Sequence, residues 1–99
     1  MFKIKWTDEA KENYFETLQF WIIHNKSTTY SEKIISEVEF KESLLANHPY
    51  IGNIIEDTEE EVRRILILNN YSLFYRINVS EIEIISFWAN KMNPDDLKL

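Results

Sequence analysis

The sequence predicts an α+β fold in the order β-α-α-β-β-β, with a helical hairpin packed on one face of a mostly antiparallel four-stranded sheet. Three observations lead to this prediction. A short alternating segment opens the chain, two long segments with helical periodicity follow, and three strand-like segments separated by short turns come last. We expect residues 1–99 to form a single domain, because the sequence is 44% hydrophobic and contains no repeat or linker.

The first strand and the first helix follow from the pattern of the opening residues. In "FKIKW", Phe2, Ile4 and Trp6 alternate with lysines, which predicts a half-buried strand. Thr7 is a good N-cap, and acidic residues follow it where the helix dipole favours negative charge. Apolar side chains then recur at helical spacing, so we expect this helix to end at about His24.

The polar break "NKST" separates the first helix from a second one. Ser27 or Thr28 can cap the second helix, which is expected to continue to about Ala46. Two helices with so short a connection predict a helical hairpin. Pro49 disfavours helix in the residue before it and Gly52 permits a turn, so "NHPYIGN" is expected to end the hairpin.

Three strands are expected after an acidic loop that spans Asn53 to Glu61. They are Val62 to Leu68, Tyr71 to Asn78 and Ile82 to Trp88, joined by asparagine-containing turns. The first of them is apolar on both faces, whereas two helices can cover only one face of a sheet. Two interpretations remain open at this point: a central strand with some exposed apolar surface, or a surface made for another chain.

Charge and composition exclude several classes of function. With 17 acidic and 11 basic residues, net charge −6, the chain lacks the broad positive field of non-specific nucleic-acid binders. It has no cysteine for a disulfide or a thiolate metal site, and we predict no metal and no cofactor. No apolar run approaches the roughly 20 residues of a membrane span, so a cytoplasmic protein without a membrane partner is expected.

Four segments in a fixed order carry a resemblance to a known family. "WTDEAKENYFETLQFW", "LLANHPYIGN", "VRRILILNNYSLFYRI" and "IEIISFWANKMNPDDL" together resemble the RelE/ParE superfamily, toxins of bacterial type II toxin-antitoxin modules often labelled plasmid stabilisation proteins. The resemblance covers nearly the whole chain. It implies a growth-inhibiting toxin that a cognate antitoxin neutralises in a hetero-oligomer. The expected antitoxin surface combines the uncovered sheet face with the helix pair.

The resemblance implies one of two activities. RelE-like members cleave mRNA in the ribosomal A site, whereas ParE-like members inhibit DNA gyrase without a known hydrolytic site. Metal-free RNA cleavage needs a base, a cation and an acid. The arginine typical of many nuclease members lies in the strand that reads "YSLFY" here, and the matching position holds Ser72. Many nuclease members also end in a His-Tyr-type tail, whereas this chain has Trp88 and Lys91 there and no histidine.

These differences favour a ParE-like toxin that acts by binding gyrase, with no hydrolytic activity of its own. The alternative is a ribosome-dependent endoribonuclease with a variant active site, and a third interpretation is an inactive relative that only binds partners. His24 and His48 are expected to have helix-end or turn roles.

The candidate site residues are mostly basic or aromatic. For a nuclease the available set is Arg63, Arg64, Tyr71, Arg76 and Lys91, and for target or antitoxin binding it is Arg63, Arg64, Arg76, Trp88 and Lys91. Strand alternation is expected to send Arg63 and Arg64 to opposite faces. The structural alternative for this pair is solvent exposure or salt bridges with the acids at 59–61. Tyr71 and Tyr75 are candidates for base stacking or, more commonly, for the core.

Overall fold

The computed structural model describes residues 1–56, 58–93, 96–97 and 99. Its elements in chain order are β1 (Lys3–Trp6), α1 (Asp8–Asn25), α2 (Thr29–Asn47), β2 (Asn53–Ile55), β3 (Val62–Ile67), β4 (Tyr71–Asn78) and β5 (Glu81–Ala89). The strands form one sheet in the order β1-β5-β4-β3-β2, in which only β1 and β5 run parallel. The α+β class, the helical hairpin and the mostly antiparallel sheet are thus confirmed.

The sheet has one strand more than the sequence predicts. β2 lies in the acidic segment expected to be a loop, and it pairs antiparallel with the start of β3, Ile54 opposite Arg63. Its three residues are too few to show an alternating pattern, and their pairing depends on β3 lying beside them. The result is a short edge strand next to the two arginines.

The helix ends largely follow the predicted capping residues. The Thr7 hydroxyl accepts a hydrogen bond from the Ala10 N–H at 3.2 Å, which confirms Thr7 as the N-cap of α1. Before α2, Thr28 occupies the N-cap position but makes no capping bond through its side chain. The neighbouring Ser27 hydroxyl accepts from the Thr29 N–H at 3.2 Å instead. Within the described ranges, neither helix is long and apolar enough to cross a bilayer.

The hydrophobic core lies between the helices and one face of the sheet. Buried side chains from α1, α2, β3, β4 and β5 form it: Ala10, Ile34, Val38, Leu45, Ile67, Tyr71, Leu73, Tyr75, Ile82, Ile84 and Phe87. Tyr71 and Tyr75 both belong to this core, which is the commoner of the two roles expected for them from the sequence. Register partners share a face, so the residues that alternate with this set point away from the helices.

We call that second surface the open face. It carries Arg64, Leu66, Ser72, Phe74, Arg76, Ser86 and Trp88. A register shift between β4 and β5 at Phe74/Tyr75 keeps Ser86 and Trp88 on it despite one extra residue in β5. The open face is where the sequence analysis expects a partner.

Candidate functional site

Arg63 and Arg64 lie on opposite faces of the sheet, as strand alternation predicts. Arg63 pairs with Tyr75, whose side chain is in the core, whereas Arg64 pairs with Phe74 on the open face. The two side chains therefore have different surroundings, although they are neighbours in the chain.

Arg63 holds the segment that follows α2. Its Nη1 donates to the carbonyls of Tyr50 and Gly52, both at 2.9 Å, and its Nη2 forms an ion pair with Glu61. The guanidinium also lies 5.2 Å from the centre of the Tyr50 ring, within cation–π distance. Only 13% of the Arg63 side chain is exposed, so these contacts occupy most of its surface.

Tyr75, on the neighbouring strand β4, binds the same segment through its hydroxyl group. Its hydroxyl donates to the Pro49 carbonyl at 2.8 Å and accepts from the Gly52 N–H at 2.9 Å. Burial raises the pKa of Tyr75, and the bond from Gly52 and the charge of Arg63 oppose this rise. The phenol therefore stays protonated at neutral pH and donates its hydrogen bond.

Arg64 belongs to a hydrogen-bonded cluster on the open face. Its Nε donates to the Ser72 hydroxyl at 2.7 Å, and its Nη2 donates to Asn90 Oδ1 at 3.3 Å. Ser72, which is fully buried, donates in turn to the same Asn90 oxygen at 2.5 Å. Asn90 is fixed by its Nδ2, which donates to the Asn69 carbonyl at 2.9 Å in the β3–β4 turn. The guanidinium is therefore oriented by two neutral side chains.

A cavity of about 290 Å³ adjoins this cluster, and we call it the open-face cavity. In the described part of the chain, its polar lining comes from Arg64, Ser72 and Asn90. Its apolar lining comes from the sheet and from the end of the chain: Ile55, Phe74, Trp88, Leu97 and Leu99. A cation thus stands at the wall of a mostly apolar cavity.

Arg76 lies on the same face but is already paired with two carboxylates. Its Nε donates to Glu83 and its Nη1 to Glu60, at 2.5 and 2.8 Å. The hydrogen bond to Glu83 is the main reason that the pKa of Arg76 is raised. Arg63–Glu61 is the kind of salt bridge that the structural alternative predicts for the adjacent arginines. Among the described residues Arg64 forms no such pair, and Glu60 pairs with Arg76 instead.

Tyr71 and Lys91 lie apart from Arg64, on the side of the sheet that faces the helices. Trp21 Nε1 donates to the Tyr71 hydroxyl at 2.6 Å, and both aromatic residues line a cavity of about 400 Å³ together with Lys91. Burial is the largest cause of the raised pKa of Tyr71, so its phenol is a poor base near neutral pH. Trp88 borders the open-face cavity and also a third cavity of about 490 Å³ beside α1.

The candidate nuclease residues are thus spread over three places. Arg63 is under the loop after α2, Arg64 and Arg76 are on the open face, and Tyr71 and Lys91 are near Trp21. The two histidines lie elsewhere in helix-end positions, as expected. His24 stacks on Phe20 at 5.4 Å in the last turn of α1, and His48 is the C-cap of α2.

Asn90 is the site residue that sequence reasoning missed. It directly follows β5, and its N–H donates to the Asn70 carbonyl at 2.9 Å, which places it beside the β3–β4 turn. The only signal in the sequence is its position between two other candidates, Trp88 and Lys91. Among the described residues, no group of three His, Asp or Glu side chains is arranged to hold a metal ion.

Comparison with known proteins places the chain in a family. A family model described as the ParE toxin of the type II toxin-antitoxin system, parDE, matches residues 4–94. A solved structure described as the chromosomal ParDE TA system from P. aeruginosa has the same fold, with a TM-score of 0.69 and 17% identity over 90% of this chain and 96% of that chain. No curated protein matches in sequence. Because the family model spans most of the sequence, the chain belongs to the ParE toxins of type II toxin-antitoxin systems.

Proposed function

We propose that this toxin inhibits DNA gyrase by binding it, and that a cognate antitoxin neutralises it in a hetero-oligomeric complex in the cytoplasm. The family match over residues 4–94 is the observation that carries the proposal. In this proposal the toxin domain needs no catalytic residue and no cofactor. Its contact residues are drawn from Arg64, Arg76, Trp88 and Lys91, since Arg63 is largely buried by its contacts with the loop.

The surroundings of Arg64 support binding over catalysis. The side chains that hydrogen-bond to it, Ser72 and Asn90, are neutral and do not exchange protons near pH 7. Acid–base cleavage of RNA needs two groups beside the phosphate that do exchange protons, one as the base and one as the acid. The carboxylates of Glu60 and Glu83 on the same face also repel a phosphate backbone.

One observation favours the second candidate function, a RelE-like ribosome-dependent mRNA endoribonuclease. Arg64 Nε lies 2.7 Å from the hydroxyl of Ser72, the residue at the position of the arginine typical of nuclease members. The guanidinium on β3 would then supply the cation that is missing at position 72. Tyr71 and Lys91 would have to act from the helix-facing side.

Two assays on the same induced cells separate these functions. The toxin is expressed without its antitoxin, and RNA ends are mapped by primer extension within minutes, while purified toxin is added to a gyrase supercoiling assay. We expect growth arrest, intact mRNA and inhibited supercoiling. Translation-dependent cuts within codons, together with unaffected supercoiling, would replace the proposal by the nuclease alternative.

The control is the same strain expressing toxin and antitoxin together, which should grow and keep its gyrase active. A toxin that is folded, well expressed and without effect on growth would contradict both candidate functions. That result would support an inactive relative that only binds partners.

A further inference from the structure

The three arginines of the sheet differ in their ionic partners. Arg63 is paired with Glu61, and Arg76 with Glu60 and Glu83. Arg64 makes hydrogen bonds to Ser72 and Asn90 and has no carboxylate partner in the part of the chain that the structure describes. A half-buried guanidinium with only neutral partners is stabilised when an anion joins it.

The hydrogen bonds that Arg64 does make define which edge of the guanidinium is available. A guanidinium has five N–H groups in a planar fork. The edge formed by Nε and one N–H of Nη2 is used by Ser72 and Asn90. The other edge, between Nη1 and Nη2, has no partner among the described residues. This is the geometry that binds both oxygens of a carboxylate through two parallel hydrogen bonds.

The open-face cavity indicates what carries the anion. Among the described residues, five of the eight that line it are aliphatic or aromatic, and two of these are Leu97 and Leu99. An occupant that satisfies this lining brings apolar carbon atoms together with its negative charge. An acidic side chain within an apolar peptide segment meets both conditions.

A nucleic-acid backbone fits the same surface poorly. Successive phosphates need several cations along their path, as salt-dependent nucleic-acid binding shows. The other arginine of this face, Arg76, is already held by two carboxylates. The net charge of −6 further weakens attraction to a polyanion. A single carboxylate needs only Arg64.

We propose that the open-face cavity binds an Asp or Glu side chain of the antitoxin, set between apolar residues, and that Arg64 recognises its carboxylate through two parallel N–H···O bonds. Ser72 and Asn90 position the guanidinium for this contact. The inference rests on the antitoxin that the toxin family implies, and it does not depend on gyrase being the target.

The test measures antitoxin affinity for two matched variants. The antitoxin encoded beside the toxin is purified, and its dissociation constant is measured for the wild-type chain, Arg64→Gln and Lys5→Gln. Arg64→Gln should weaken binding by at least about tenfold, because a desolvated charge pair is lost. Lys5→Gln removes an equal charge from an exposed position on the same face of the sheet and should change the dissociation constant less than about threefold. Circular dichroism confirms that each variant is folded.

Replacement of antitoxin acids by their amides identifies the partner group. One Asp or Glu flanked by apolar residues should reproduce the loss, and combining it with Arg64→Gln should add little further loss. Arg64→Lys keeps the charge without the fork and should bind with intermediate affinity. It also serves as the test variant if Arg64→Gln does not fold.

Three results would overturn the inference. They are unchanged antitoxin affinity of Arg64→Gln, the lack of any antitoxin acid that reproduces its loss, or Arg64-dependent binding of a labelled RNA oligonucleotide with normal antitoxin affinity. If Arg64→Gln stops growth arrest while the antitoxin still binds normally, Arg64 contacts the target instead. Gyrase inhibition by the wild-type chain is measured separately, so failure of that function and failure of this inference are distinguishable.

Discussion

Arg63 and Arg64 are adjacent in the chain, yet one is enclosed by the fold and the other faces a cavity. Arg63 contacts two main-chain carbonyls, a carboxylate and an aromatic ring, and it is 13% exposed. Arg64 contacts two neutral side chains at the wall of the open-face cavity. In a central strand, adjacent residues point to opposite faces of the sheet. Two neighbouring arginines can therefore differ, one being enclosed by the fold and the other lying at the wall of a cavity.

The largest expected effect is a loss of stability when Gly52, in the segment enclosed with Arg63, is replaced. A β-carbon added to Gly52 would lie 2.5 Å from the Tyr75 hydroxyl oxygen, in a side chain that is fully buried and hydrogen-bonded to Pro49. Gly52→Ala should therefore lower the free energy of unfolding by about 3 kcal/mol, from overpacking and the loss of buried hydrogen bonds. Urea denaturation of the free toxin measures this.

Asn53→Ala, at the exposed neighbouring position, is the matched control and should change the free energy of unfolding by less than about 1 kcal/mol. Equal stability of Gly52→Ala and the wild type would mean that the contact between Gly52 and Tyr75 is not tight.

The second prediction compares the two arginines directly. Arg63→Gln should lower the free energy of unfolding by about 2 kcal/mol, because the carbonyls of Tyr50 and Gly52 lose their charged donor. Arg64→Gln should cost less than about 1 kcal/mol, because Ser72 keeps Asn90 as its acceptor. Denaturation of both variants in the same buffer tests this, with antitoxin affinity as the second measurement.

For antitoxin affinity the order should reverse, with Arg63→Gln close to wild type once folded. Two variants with the same loss of stability would contradict the division of roles between the arginines.

The sequence was sufficient to predict that the two arginines lie on opposite faces of the sheet. It did not predict which of them is enclosed by the fold. Alternation predicts opposite faces, and the structure confirms it. Which one is enclosed depends on the carbonyls of Tyr50 and Gly52, which reach β3 only after the chain has turned at the end of α2. That contact is tertiary, and no local pattern encodes it.

The same reason explains the two features that were missed. β2 has three residues and exists because β3 offers it a hydrogen-bonding edge. Asn90 joins the site because the turn at Asn69 and Asn70 folds beside the end of β5. By contrast, both helices and β4 were predictable. Each is long enough for the spacing of its apolar residues to be recognised, and the helices also have recognisable capping residues.

The smallest expected effect concerns pH and the helix-facing side of the sheet. Burial, with smaller contributions from Glu42 and Glu39, raises the pKa of Tyr14 from 10.0 to about 12. The folded state therefore holds this proton more tightly than the unfolded state. The resulting stability is complete below about pH 10 and is lost as the pH rises towards 12.

Tyr14→Phe should keep the ring contacts with Trp6 and Phe87, at 5.0 and 5.1 Å, and remove the titrating group. Its free energy of unfolding should fall less steeply between pH 10 and 12 than that of the wild type, while the two curves stay nearly parallel between pH 6 and 9. Urea midpoints across this range measure the slopes, and Tyr50→Phe, in a mostly exposed ring, controls for loss of a phenol. Identical slopes for Tyr14→Phe and the wild type would show that the alkaline loss arises from other groups than Tyr14.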